Sequence, residues 1–231
     1  MASKDPAFGR LPVEPGLSPM EAKLVDSLPG CEGWRFEPKW DGFRCLVFRD
    51  GGEVALMSKA GKPLARYFPE VVERVLGLET ERFAVDGELI IPVGEALSFE
   101  ALQMRLHPAE SRVRKLAAET PAKLMLFDCL AMDGEGLLER PLAERRAALE
   151  RFGGAEGVEL SPFTEEHEVA EGWLGSAGAA LDGVVAKRVD GPYEPGERAM
   201  LKVKQMRTAD CVVGGFRYGG RARAAGSPVA A

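Results

Sequence analysis

The sequence is poor in the residues on which several large enzyme classes depend. Among its 231 residues there are two histidines, His107 and His167. That is too few for a histidine-rich metal site, and it argues against triad chemistry. The four cysteines, Cys31, Cys45, Cys129 and Cys211, are scattered, with no Cys-x-x-Cys pair. This excludes the usual zinc spacings. Three of the four sit in apolar strand-like runs, which points to buried free thiols in a reducing compartment. No apolar run approaches the ~18 residues of a membrane span, and the Met-Ala-Ser-Lys-Asp-Pro start has no apolar signal core. A basic excess is also missing. The net charge of −6 gives no support to a generic nucleic-acid binder.

What is present suits one large or two modest globular domains, with 45% apolar and 29% charged residues. The charge is unevenly spread. Between Arg198 and Arg223 stand Arg198, Lys202, Lys204, Arg207, Arg217, Arg221 and Arg223 against a single acid, Asp210. A second basic group is Arg105, Arg112, Arg114 and Lys115. Two such groups, distant in sequence, can line one surface for an anionic ligand.

The pattern of elements mixes strands and helices. Leu11 to Gly16 reads as an extended arm and Met20–Leu28 as a short helix. Phe43–Arg49 and Glu53–Ser58 flank Asp50-Gly51-Gly52, a hairpin signal. Tyr67–Leu76, Arg112–Glu119 and Glu166–Ala177 read as helices. Ser98 is placed to cap another helix that Pro108 ends. A further helix lies between Pro141, suited to its first turn, and Gly153. Phe83–Ile91, Ala122–Ala131, Val158–Phe163, Gly183–Val189, Ala199–Gln205 and Asp210–Tyr218 read as strands. Without a strict βαβ rhythm, the order predicts an α+β fold with mainly antiparallel sheets and flanking helices.

Residues 37–44, Glu-Pro-Lys-Trp-Asp-Gly-Phe-Arg, place Lys39 beside a turn, with Asp41 on the same face of an extended segment. A lysine held among a carboxylate, an arginine and a glycine is a candidate covalent nucleophile. The alternative is an exposed strand end with a salt bridge. Asp86 and Glu88 flank a glycine on one strand face, and a half-buried acid there calls for a hydroxyl, metal or cation partner. Phe127-Asp128 lies in an otherwise apolar strand. Asp182 and Lys187 fall on opposite faces of their strand unless Gly183 bends it or forms a bulge. Lys202 and Lys204 share a face and repel unless an anion sits between them. A protected sheet edge is the plainer reading of that pair. Cations converging on a phosphate, with acids holding a divalent metal, is the chemistry of phosphoryl and nucleotidyl transfer.

Jointly these stretches resemble the covalent nucleotidyltransferases, a superfamily of ATP-dependent DNA ligases, RNA ligases and mRNA-capping enzymes. The Lys-x-Asp-Gly-x-Arg signature is met by Lys39, Asp41, Gly42 and Arg44. In the family's order and spacing follow Ser58-Lys59-Ala60-Gly61 with Phe68-Pro69-Glu70, Asp86-Gly87-Glu88, Phe127-Asp128, Asp182 to Lys187, and Leu201-Lys202-Val203-Lys204. The resemblance covers roughly residues 35–215. Glu-Pro-Lys-Trp-Asp-Gly-Phe-Arg is similar to the bacterial end-joining ligases, and Arg207 to Gly215 looks like their stand-alone C-type branch.

The resemblance implies an ATP-grasp-like nucleotidyltransferase domain over residues 1–209. It also implies that an OB-fold is absent or barely begun at 210–218, and the Gly/Ala/Arg-rich composition of 219–231 reads as a disordered tail. It implies that Lys39 attacks the α-phosphate of ATP to form lysyl-AMP, with Mg2+ or Mn2+ required. Glu37 would lie beside the adenine, Arg44 and Glu88 at the ribose, Phe127 against the base, and Lys187, Lys202 and Lys204 at the α-phosphate. Asp182 and Asp41 would hold the metal, and Ser58 and Lys59 would face DNA phosphates. Nicked or broken duplex DNA and repair proteins are the implied partners, in a bacterial cytoplasm at the nucleoid, with no membrane. An RNA ligase or capping-type guanylyltransferase, or a nucleotide-binding module without turnover, stands as the alternative. The chain departs from the family in two places: Asp182 stands where Glu is usual, and Lys59 where Arg is usual, which loses bidentate phosphate geometry.

Overall fold

The computed structural model describes residues 8–30, 32–94, 96–175 and 181–204. Cys31, Cys211, the predicted strand Asp210–Tyr218, its place as the start of an OB-fold and the predicted tail at 219–231 lie outside the described residues. In chain order the elements are β1 (Ala22–Leu24), β2 (Trp34–Trp40), β3 (Phe43–Asp50), β4 (Glu53–Ser58), α1 (Pro69–Leu76) and β5 (Arg82–Ile90). The hairpin strands β6 (Pro92–Val93) and β7 (Ala96–Leu97), then α2 (Phe99–Arg105) and α3 (Glu110–Glu119), follow. The rest are β8 (Lys123–Met132), β9 (Glu135–Gly136), α4 (Leu142–Leu149), β10 (Val158–Leu160), α5 (His167–Gly175), β11 (Leu181–Arg188) and β12 (Met200–Val203).

The strands form two main sheets. The first runs β1-β12-β11-β2; the second runs β10-β8-β5-β3-β4, with β9 added to β8. Two pairings, β1 with β12 and β10 with β8, are parallel and the rest antiparallel. The expected mixed fold with mostly antiparallel sheets and flanking helices is present.

Period-two alternation creates the layers. On β3, Cys45 and Val47 face a cluster that includes Val71 and Val75 of α1, Leu102 of α2 and Val113 of α3. Leu46 and Phe48, on the other face, pack with Tyr193 and Met200 between the two sheets. The first sheet's outer face, with Phe36, Val184 and Ala186, is covered by Ala170 and Trp173 of α5. The order is therefore helices, second sheet, first sheet, α5. Each fully buried aliphatic or aromatic side chain here contributes about 1.5–3 kcal/mol.

The local signals mostly act as expected. Ser98 Oγ accepts the Ala101 N–H and caps α2. Pro141 sits one residue earlier than expected, as the cap of α4 rather than within its first turn. The larger departure is at Met20–Leu28, where the predicted helix is instead an irregular stretch around the edge strand β1. Glu21 N–H donates to Glu197 O, Met200 N–H to Glu21 O, and Val25 N–H to Lys202 O. Pairing with β12 offers these backbone groups partners that a short isolated helix would have to find within itself. The expected arm at 11–16 is bent, and its Leu11 and Val13 are buried in the inter-sheet cluster. Cys45 and Cys129 are buried and free.

Candidate functional site

A cleft of about 450 Å³ opens between the inner faces of the two sheets. The extended β2 puts Glu37 and Lys39 on its inner face, and both line the cleft. On β11, Val185 pairs with Glu37 and Lys187 with Arg35. Lys187 Nζ reaches Glu37 Oε2 at 2.8 Å and the Phe127 carbonyl at 3.1 Å. Both side chains of this ion pair are 4% exposed. Burial pushes the Glu37 carboxyl above its ordinary range, against the pull of Lys187. Lys202, opposite Val185 on β12, completes the row. Partial burial lowers its pKa, and the charges of Lys204, Lys39 and Lys59 add to that effect.

The predicted bulge at Gly183 is present. The register between β11 and β2 slips between Leu181 and Gly183, leaving Asp182 as the extra residue. Gly183 has φ +143°, and a Cβ there would lie 2.0 Å from Val203 O, so this position tolerates no other residue without rearrangement. The bulge turns the Asp182 carboxylate onto two lysines: Oδ2 lies 2.7 Å from Lys39 Nζ and 2.6 Å from Lys204 Nζ. Burial acts to raise the Asp182 pKa, but the hydrogen bonds from Lys204 and Lys39 outweigh it and hold the carboxyl below its ordinary value. Asp182 is thus an anion between Lys39 and Lys204, whereas the anion expected between Lys202 and Lys204 is not supplied by it.

The second sheet contributes the opposite wall. The chain crosses from β2 to β3 at Gly42, where a Cβ would sit 2.2 Å from Leu89 O. This close crossing brings Arg44 and Glu88 into one pocket. Arg44 holds Asp86 with two bonds, Nε to Oδ1 at 2.6 Å and Nη2 to Oδ2. The expected cation partner of Asp86 is therefore Arg44, and a hydroxyl partner is present as well, since Tyr193 donates to Oδ2 at 2.6 Å. Glu88 lines the cleft, half-buried. Burial raises its pKa to about 7 in spite of Arg44 and Lys39.

Phe127 stands at a second bulge. Gly87 pairs with Leu126 and Asp86 with Asp128, so Phe127 is left as an extra residue. Arg44 and Lys187 each stand 4.8 Å from its ring centroid. Asp128, opposite Asp86, is locked in a fully buried pair with Arg145.

Ser58 and Lys59 line the rim. Ser58 Oγ accepts the Lys62 N–H, which closes the loop after β4, and Lys59 pairs with Glu21. Asp41 is exposed in the β2–β3 turn, and its charge is felt by Glu88. Among the described residues no group of three or more His, Cys, Asp or Glu side chains is placed to cage a metal. Asp182, a lone carboxylate among lysines, suits an ion that takes its other ligands from phosphates and water, as Mg2+ does.

The second basic group does not join this surface. Arg105 is 0% exposed and bonded to Glu70. Arg114 and Lys115 pair with Glu110 and Glu119 one helical turn away. Sequence reasoning also passed over Met20, Glu21, Trp40 and Tyr193. The Trp40 indole N–H donates to the buried Ser161 Oγ at 2.9 Å, which fixes the indole at the cleft wall. Tyr193 stands in a Gly-Pro-Tyr-Glu-Pro loop with no periodicity to mark it.

Comparison with known proteins adds the family. The model of the ATP dependent DNA ligase domain matches residues 19–204. The chain belongs to that family. DNA ligase C2 of Mycolicibacterium smegmatis is 49% identical, over 90% of this chain and 59% of that protein. DNA ligase C of Mycobacterium tuberculosis is 46% identical, over 90% of this chain and 60% of that protein. The chain thus spans about three-fifths of the length of these curated relatives. A solved mycobacterial DNA ligase D, complexed with ATP and MES, superposes with a TM-score of 0.67 at 26% identity, covering 84% of this chain and 62% of that one. The mixed, mostly antiparallel fold of this ligase-family chain matches that of a ligase adenylation domain.

Proposed function

We propose that this chain carries the adenylation chemistry of an ATP-dependent DNA ligase related to the C-type enzymes. Lys39 Nζ attacks the α-phosphorus of ATP, a P–N bond forms, the bond to the bridging oxygen of the β-phosphate breaks, and pyrophosphate leaves. The amine sheds one proton to become nucleophilic and a second on forming the phosphoramidate. The AMP then passes to a DNA 5′-phosphate before sealing in the full-length enzyme, in repair and end joining of nicked or broken duplexes.

The observation that carries this reading is the placing of Lys39 in the cleft wall with Lys187 and Lys202 beside it and Lys204 joined to it through Asp182. Such a cluster stabilises charge that develops on a phosphate in an in-line displacement. Asp182 pairs with Lys39 at 2.7 Å, so Nζ becomes free to attack when that carboxylate has another partner. Asp182, with Asp41 at the turn, would hold Mg2+ or Mn2+, which when bound neutralises phosphate charge. Lys187, Lys202 and Lys204 bind the α-phosphate. Glu37 and Phe127 contact the base, Arg44 and Glu88 the ribose, and Ser58 and Lys59 DNA phosphates.

The test is label transfer. Wild-type protein should take covalent label from α-labelled ATP, and Lys39→Ala should take none. Labelling of that variant at the wild-type rate would remove Lys39 as the nucleophile.

A further inference from the structure

Glu21 has no part in the chemistry above, yet it stands at the cleft. It lies just before β1, at the edge of the first sheet, whereas Lys59 follows β4, at the edge of the second. Lys59 Nζ and Glu21 Oε2 meet at 3.0 Å. The pair therefore joins the two sheets across the mouth of the cleft that both residues line. The Glu21 backbone is fixed at both ends of its peptide, to Glu197 O and from Met200 N. The hydrogen bond from Lys59, with the charges of Arg198 and Lys202, holds the Glu21 carboxyl below its ordinary value. Glu21 is thus an anion at neutral pH, with three cations around it.

We propose that Glu21 is a positioning residue whose carboxylate takes the place of a phosphate, holding Lys59 across the cleft mouth until a phosphate group displaces it. The inference rests on the function proposed above. Glu21 is anchored through its strand, whereas Lys59 is 58% exposed and ends a flexible four-carbon stem. The lysine is therefore the partner that moves. An ammonium exchanges one anion for another without the fixed fork geometry of a guanidinium, which gives a physical reason for Lys at this position. The displacing phosphate belongs either to the nucleotide or to the DNA backbone, and the two sources separate by experiment.

The experiment compares wild type, Glu21→Gln, Lys59→Met and the double variant of the full chain. Initial rates of self-adenylation against ATP concentration give KM and the maximal rate, and anisotropy gives the Kd for a nicked duplex. If the nucleotide is the source, Glu21→Gln lowers KM for ATP about two- to fivefold, the range an exposed ion pair sets, and the change falls on KM rather than on the maximal rate. If DNA is the source, the same fold-change appears in the Kd for the duplex. In either case the effect disappears in the Lys59→Met background. No change in either constant, a weakening of both, or an undiminished effect without Lys59 overturns the inference. Wild-type protein that takes no label overturns the functional reading, and the inference with it.

Discussion

Tyr193→Phe tests the most demanding contact at the site. The Tyr193 hydroxyl donates to Asp86 Oδ2 at 2.6 Å and accepts the Met20 N–H at 3.0 Å. Arg44 closes the ring, with two bonds to Asp86 and one to the Met20 carbonyl at 3.1 Å. Tyr193 is 1% exposed and Asp86 0%. Burial first, and the negative Asp86 second, raise the phenol pKa well above its ordinary value, so the hydroxyl remains a donor throughout the neutral range. Phenylalanine fills the same space, so the variant removes hydrogen bonds without opening a large cavity. Asp86 loses a charge-assisted bond, and the buried Met20 amide loses its acceptor. Together these losses cost about 2–4 kcal/mol. For a domain of this size that lowers the melting temperature by about 5–15 °C. Denaturant midpoints at constant m-value measure the first figure and a thermal scan the second. Because Arg44 is oriented by the same ring, KM for ATP should rise as well. A loss below about 1 kcal/mol, with m unchanged, would show that the ring does not hold the arm and Arg44 together.

Glu88 should give the chain a pH-dependent stability. Its carboxyl is raised from 4.5 to about 7, so its contribution is complete below about pH 4.5 and is lost as pH rises through 7, by about 3 kcal/mol in the nucleotide-free protein. Glu88→Gln should flatten that slope between pH 5 and 8, and an unchanged slope in urea titrations would assign it elsewhere. Gly183→Ala should cost more than about 2 kcal/mol, given its positive φ and the Val203 carbonyl in the way. It should also reduce lysyl-AMP formation, because the Asp182 contacts to Lys39 and Lys204 depend on the bulge. Arg105→Met strands the Glu70 carboxylate in the interior and should cost about 3–5 kcal/mol, whereas adding Glu70→Leu should recover part of it. Urea midpoints of the single and double variants decide this.

The comparison of sequence with structure separates two kinds of information. Alternation and turn residues are local, and they located the β3–β4 hairpin, β5, β8 and α1 within a residue or two. The Met20–Leu28 stretch failed because its conformation is set by β12, some 180 residues away, whose backbone it joins. The second basic group failed for a similar reason. Charge in a sequence carries no information about burial, and Arg105 is matched inside the protein by Glu70 from another helix.

The candidate site shows why a motif can be legible while its geometry is not. Lys39, Glu37, Lys187 and Lys202 face the cleft by simple alternation on regular strands, so their convergence follows once β2, β11 and β12 are adjacent. Asp128 and Asp182 do not follow. Each goes with a bulge, one on β8 whose extra residue is Phe127 and one on β11 whose extra residue is Asp182 itself. A strict period of two from Leu126, which packs on the helix side, turns Phe127 to Arg44's face but would send Asp128 to the helix side, away from Asp86, and would separate Asp182 from Lys187. The glycine at 183 announced the second bulge, because no other residue takes φ +143° readily. Nothing comparable marks the first: Leu126, Phe127 and Asp128 are all compatible with a regular strand. It is held by Arg145 on Asp128 and by Arg44 and Lys187 on Phe127. The Arg145–Asp128 pair is therefore more than a stabilising contact in α4. By holding Asp128 beside Asp86 on the inter-sheet face, it fixes the bulge at which its neighbour Phe127 stands between the two cations.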